Sequence, residues 1–180
     1  HHERARSAGV SLHANAHSLA VTTDPGMLAG LLGRLLDNAI NATPSGGRVL
    51  LAARVRGERI RIEVRDSGIG ISPVHQPRVF DEFFQVGNPE RDHRKGFGLG
   101  LAIVSRLATL LGGRVELRSR LHGGSCFRID LPRATAGKRM PQVPVLSEVA
   151  ADADTLPMML HAWGYTAVVT TRTRATQAAP

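Results

Sequence analysis

The chain has 180 residues, enough for one compact domain plus a remainder or for two small ones. A hydrophobic content of 42% is sufficient for a core, and no run approaches the ~18 apolar residues of a membrane span. The formal charge of +8 is mostly arginine and suits an anionic partner, but the basic residues are scattered and aromatics are only 4%, which disfavours a base-stacking nucleic-acid surface. A single cysteine, Cys126, excludes an internal disulfide and a multi-cysteine zinc site; its apolar, strand-like setting predicts a buried thiol. The chain opens on neither Met nor a secretory pattern, which predicts a fragment of a longer protein.

Residues 1–23 carry no clear period. His1-His2 has the look of a tag remnant, and Val10 to Leu12 and Ser18 to Val21 read as short strands. Asp24-Pro25 then predicts a helix start, with Asp24 as N-cap and Pro25 in the first helical position. Leu28, Leu31, Leu32, Leu35, Leu36 and Ala39 follow at helical spacing until Thr43-Pro44-Ser45-Gly46-Gly47 breaks the helix. Two alternating strands come next, one carrying Val49, Leu51, Ala53 and Val55 on a face, the other Ile60, Ile62 and Val64, joined at Arg56-Gly57-Glu58. A short helix is predicted over Pro73 to Phe80, then a polar segment over 85–97 read as a mobile loop. A second long helix is predicted from Leu99 to Leu111, with Leu99, Ala102, Ile103, Leu107, Leu110 and Leu111 as its apolar stripe. Strands over Val115–Leu117 and Cys126–Leu131 flank His122-Gly123-Gly124, and Pro132 closes the unit. Helices laid over a mostly antiparallel sheet make this an α+β two-layer sandwich.

Three local patterns carry chemistry. Gly96-Phe97-Gly98-Leu99-Gly100 opens a helix, where close backbone approach and the positive dipole end suit a polyanion. It matches neither the dinucleotide fingerprint nor the P-loop spacing. Asp66-Ser67-Gly68-Ile69-Gly70 places a carboxylate at a strand end, able to accept from an exocyclic amine such as that of adenine. Arg34, Asn38 and Asn41 fall on one stripe of the first helix, and an amide oxygen there suits Mg²⁺. Taken singly, each also has an ordinary reading: a glycine-rich loop, an Asp turn, a solvated Asn. The remaining histidines (His13, His17, His75, His93, His122, His161) show no metal-ligand spacing.

The succession of these patterns is specific. Leu35-Leu36-Asp37-Asn38-Ala39, then Asp66 to Ile71, then Phe80 to Phe84, then Gly96 to Leu101, then Gly123-Gly124-Ser125 resembles the N box and glycine boxes of the sensor histidine kinase ATPase domain. That domain belongs to the superfamily shared with DNA gyrase, MutL and a heat-shock chaperone, and the resemblance covers roughly residues 10–132. It implies the Bergerat ATP-binding fold, with ATP and Mg²⁺ as cofactors. Asn38 would ligate Mg²⁺, with Asn41 nearby. Asp66 would read the adenine amine, with Gly68, Gly70 and Ile71 making room for the base. Residues 85–97 would form a lid carrying Arg94 and Lys95, and Gly96, Gly98, Leu99, Gly100, Leu101 and Ser125 would complete the nucleotide site. The γ-phosphoryl group would pass to a histidine on a dimerisation and phosphoacceptor domain of the parent, and on to a response regulator. A cytoplasmic, monomeric domain follows, with no nucleic-acid or membrane contact of its own.

Arg34 stands where family members carry Asn or Glu, a position tied to activating the acceptor or water. The alternative reading is therefore a nucleotide-binding regulatory module in which Arg34 blocks chemistry; a DNA-stimulated ATPase of the gyrase or MutL sort is a third. His2-Glu3-Arg4 echoes the phosphoacceptor motif without its proline. The domain is expected over 1–133 and a linker over 134–142. Residues 143–180 resemble the first βαβ of a receiver domain, with Asp152 and Asp154 as an eroded acidic pair.

Overall fold

The computed structural model describes residues 1–16, 20–86, 97–133 and 142–144. A short helix α1 (His2–Ser7) precedes strands β1 (Ser11–Ala16) and β2 (Ala20–Thr22), and the long helix α2 spans Pro25–Ala42. Asp24 caps α2 as expected: its side chain accepts from the Met27 amide at 2.7 Å. Strands β3 (Arg48–Arg56) and β4 (Arg59–Asp66) form the hairpin, followed by helix α3 (Gly100–Leu110) and strands β5 (Val115–Ser119) and β6 (Ser125–Pro132).

Five strands make one sheet in the order β1-β3-β4-β6-β5, with β1 parallel to β3 and every other pair antiparallel. Register puts Leu51 opposite Val64, and Val64 opposite Phe127, so the alternating apolar residues share one face. Val49, Ile60, Ile62, Val64, Phe127, Ile129 and Leu131 are all at most 1% exposed there, packed beneath the leucines of α2. Each such side chain contributes about 1.5–3 kcal/mol by leaving water. The opposite face is charged: Glu63 sits across from Arg128, and Arg61 from Asp130, with which it makes two hydrogen bonds.

Three expectations are corrected, and one element is new. No α-helix forms over Pro73 to Phe80; there is a single 3-10 turn at Gln76–Arg78. The Ser72 carbonyl already accepts from His75 and Gln76, and Pro77 has no N–H to continue the ladder. Of the stripe predicted for α3, Ala102 and Leu111 are buried and Leu107 packs against the core, but Leu110 is 69% exposed, and Val104 and Ala108 are buried in addition. Helix α3 packs against α2 with Leu107 beside Gly30, and Leu110 lies on the exposed side of the helix. Cys126 is half-buried rather than buried, because alternation with Phe127 puts it on the charged face. Helix α1 was not expected at all; it is held by Arg4, which donates to Asp37 and to Asn41, each at 3.0 Å.

A final strand, β7 (Gln142–Pro144), pairs antiparallel with β2. The linker over 134–142 and the receiver-like segment 143–180 otherwise lie outside the described residues, as does most of the loop over 85–97. Among the described residues no helix is long and apolar enough to cross a membrane.

Candidate functional site

A cavity of about 590 Å³ opens between α2, the loop after β4, the start of α3 and the start of β6. It brings together Arg34, Asn38, Gly70, Ile71, Gly98, Leu99, Gly100, Leu101 and Ser125, from four separate stretches of chain. Arg34 and Asn38 reach it because they lie one helical turn apart on the face of α2 away from its leucine core. Neither has a side-chain partner among the described residues, so both are available to a ligand. Asn41 does not line the cavity; its side-chain oxygen is taken by Arg4. Arg94, Lys95 and Gly96 lie outside the described residues.

Helix α3 begins at the cavity with no side-chain cap, and Leu99 is its N-cap residue. Its first amides and its positive dipole end therefore face the space and favour an anion. The Gly98 carbonyl accepts from the Phe83 amide at 3.1 Å, which ties the Phe80 to Phe84 segment to the second glycine box.

Asp66 stands just behind this wall, 9% exposed, and neither it nor Gly68 lines the cavity directly. Its Oδ1 accepts the amides of Gly68 at 2.9 Å and of Ser125 at 3.2 Å. Burial raises its ionisation above the usual carboxylate range, while those two amides act against the rise. The loop that follows is clamped to the β5–β6 hairpin: Ile71 donates to Ser119 Oγ at 2.8 Å, and His122 donates to the Ile69 carbonyl at 2.7 Å. Gly70 has φ +67°, and a Cβ there would lie 1.9 Å from the Arg120 carbonyl oxygen, so only glycine allows this approach.

Sequence reasoning missed most of the apolar lining: Ala42, Ile69, Val79, Phe84, Val86, Phe97 and Ile103. The available signal was large apolar residues inside otherwise polar stretches; Ile69 is 57% and Phe97 67% exposed. Together they give the cavity an apolar lining beside a polar, phosphate-suited end, as a purine nucleotide requires.

Mg²⁺ fits the residues present, but only as a shared ion. Among the described residues no group of three His, Cys, Asp or Glu comes together, so the protein alone does not cage a metal. The unpartnered amide oxygen of Asn38 is a hard ligand suited to an ion otherwise held by phosphates and water.

These features define a nucleotide-binding α+β domain. The chain belongs to the family of histidine kinase-, DNA gyrase B- and HSP90-like ATPases, which matches residues 23–135. Within it, the chain is 38% identical over 124 residues to the sensor protein CreC of Escherichia coli (strain K12), covering 69% of this chain and 26% of CreC. It is likewise 38% identical over 133 residues to the sensor-like histidine kinase SenX3 of Mycobacterium tuberculosis, covering 73% of this chain and 32% of SenX3. The chain thus spans about a quarter to a third of these relatives. Among solved structures, full-length ShkA in complex with AMPPNP is 35% identical with a TM-score of 0.64, covering 76% of this chain and 28% of that one. The mycobacterial sensor histidine kinase MprB is 28% identical with a TM-score of 0.62, covering 73% of this chain and 87% of that one. The chain is therefore an ATP-binding catalytic domain of the histidine-kinase type.

Proposed function

We propose that this domain transfers the γ-phosphoryl group of ATP to a histidine on the phosphoacceptor domain of a larger sensor kinase, which then supplies a response regulator. The observation that carries the reading is the placement of Arg34, Asn38 and the uncapped start of α3 around one cavity. The purine lies on Ile69, Val79 and Ile71, and the Asp66 carboxylate behind Ser125 accepts from its amine. The phosphates meet the amides around Gly98 and Gly100. Asn38 would hold a Mg²⁺ ion shared with the nucleotide, and the ion would supply charge neutralisation on the phosphate oxygens. The bond from the γ-phosphorus to ADP breaks as a bond to the acceptor imidazole nitrogen forms, and the imidazole proton passes to water. The protein's part is positioning and charge compensation. Gly68, Arg94, Lys95 and Gly96 complete the site in this reading, and the domain works in the cytoplasm.

The test is transfer of labelled phosphate from ATP to the separately expressed phosphoacceptor domain of the parent, alongside calorimetric titration with AMPPNP with and without Mg²⁺. Binding strengthened by Mg²⁺, weakened by Asn38→Ala and accompanied by an acid-labile phosphohistidine is the expected result. A folded protein that binds no AMPPNP refutes the proposal.

A further inference from the structure

The charged face of the sheet holds a second cavity, of about 420 Å³, that the phosphotransfer reading does not use. Four arginines line it: Arg65 on β4, Arg118 on β5, Arg120 just after β5, and Arg128 on β6. Cys126 lies at its floor, directly opposite Arg65 on one side and Arg118 on the other.

The acids nearby are already engaged. Glu63, 3% exposed, is shared by Arg65 at 2.6 Å, Arg54 at 2.9 Å and Arg128 at 3.0 Å. One carboxylate thus faces three guanidinium groups. Arg128 Nε is close enough to Glu63 for an ion pair but lacks hydrogen-bond geometry, which leaves a buried N–H unsatisfied. Asp66 also borders the cavity, but its Oδ1 is committed to the Gly68 and Ser125 amides. Glu116 pairs with Arg114. The side chains of Arg118 and Arg120 have no partner among the described residues. Like charges gathered in a concave, partly desolvated space repel one another, and an anion that enters removes that cost.

We propose that this cavity is a binding site for a small anion of the diphosphate type, distinct from the nucleotide cavity. Guanidinium forks match phosphate oxygens two at a time, and the two open forks of Arg118 and Arg120, with the surplus charge of Arg65 and Arg128 around Glu63, suit a ligand with more than one negative centre. No aromatic or large apolar side chain lines the cavity, so nothing there holds a nucleobase. Ser125 borders both cavities, which places the anion back to back with the adenine end of the nucleotide site.

Cys126 is the only cysteine in the chain, so its alkylation by neutral iodoacetamide reports on this floor alone. The probe is inorganic pyrophosphate, compared with sodium chloride at the same ionic strength. Protection scales as one plus ligand over Kd, so pyrophosphate at ten times its Kd slows labelling of the wild type about tenfold. Labelling of the Arg118→Ala/Arg120→Ala variant slows by less than about twofold under the same conditions. Both side chains are exposed, and circular dichroism verifies that the variant keeps its fold. The protection persists when AMPPNP saturates the nucleotide cavity. Equal protection of wild type and variant, protection by chloride alone, absence of protection, or its loss on adding AMPPNP would each overturn the assignment.

Discussion

Asp66 Oδ1 accepts the backbone amide of Ser125 at 3.2 Å, although 59 positions separate the two residues. The contact joins the first glycine box to the last and fixes the carboxyl group that is proposed to read adenine. Asp66→Asn keeps an oxygen for the Gly68 and Ser125 amides but sets an NH₂ in place of the second oxygen. AMPPNP affinity is expected to weaken about 10–100-fold, the 1.5–3 kcal/mol of a charge-assisted hydrogen bond. Calorimetry on a variant with unchanged thermal unfolding measures it, and undiminished affinity would remove Asp66 from adenine recognition.

The same group sets a pH dependence. Burial raises Asp66, so its charge is lost on acidification at a higher pH than the ~4 of a free aspartate. AMPPNP affinity of the wild type should therefore decline as pH falls through that raised value, while Asp66→Asn stays flat. The fold responds in the opposite sense: a raised carboxyl destabilises the folded state as pH climbs through its folded value. Parallel pH titrations of affinity for the two proteins decide the matter.

Arg34 lines the nucleotide cavity beside Asn38 with no acceptor atom of its own. It can hold a phosphate but cannot take a proton from an incoming imidazole. Arg34→Glu supplies that acceptor, and phosphotransfer is expected to rise about 100-fold or more, in the range of general-base effects. AMPPNP affinity should weaken by a few-fold at most, about the 0–1 kcal/mol of an exposed ion pair. A variant that binds AMPPNP and transfers no faster would show that the arginine is not the limiting feature.

Glu63 is the counter-charge for Arg54, Arg65 and Arg128. Burial alone would raise its carboxyl, but the three guanidinium groups hold it below the usual range. Its stabilisation is therefore complete above the unfolded value of ~4.3 and is lost as pH falls below that toward the depressed folded value. Glu63→Gln should cost about 2 kcal/mol at neutral pH, less than for a fully enclosed pair because Arg54 and Arg65 are 45% exposed. Urea unfolding as a function of pH tests this: the gap between wild type and variant must close in acid.

Gly124 and Gly46 separate backbone strain from close approach. Both have positive φ, +80° and +83°, but a Cβ on Gly124 would lie 2.0 Å from the Asp66 carbonyl oxygen, while nothing is within 4 Å of Gly46. Gly46→Ala should cost about 1 kcal/mol from conformation alone. Gly124→Ala should cost about 3 kcal/mol or more and weaken AMPPNP binding as well, since it pushes Ser125 from Asp66. Equal losses in the two unfolding curves would mean that the approach at Gly124 carries no special weight.

What was legible in the sequence was local. Asp24-Pro25 announced α2 because capping chemistry resides in adjacent residues, and Val49 to Val64 announced a hairpin because period two resides in the strand itself. The glycine boxes were legible as contiguous motifs. Helix α1 was not, because its anchor is Arg4 gripping Asp37 and Asn41, 33 and 37 positions away. Leu110 fits the apolar spacing of α3, but which side of that helix is buried follows from its packing on α2, which no local period carries. Cys126 is a different lesson. Strict alternation with Phe127, Ile129 and Leu131 already put it on the outer face, but the apolar run suggested burial. The apolar lining of Val79, Phe84, Val86 and Phe97 shares no period, since it is assembled from separate turns.

The parallel pairing of β1 with β3 has a kinetic consequence. Strands β3, β4, β6 and β5 are joined by antiparallel pairings, and β3–β4 and β5–β6 are tight hairpins. Ser11 meets Arg48 only after the chain has crossed the sheet through α2. Such a long closure is slow. On this topology the edge strand is expected to join the sheet after α2 has docked. Beyond its pairing with β3, this edge touches α1, whose Arg4 holds Asp37 and Asn41, so α1 is the link from the edge to the helix that lines the nucleotide cavity.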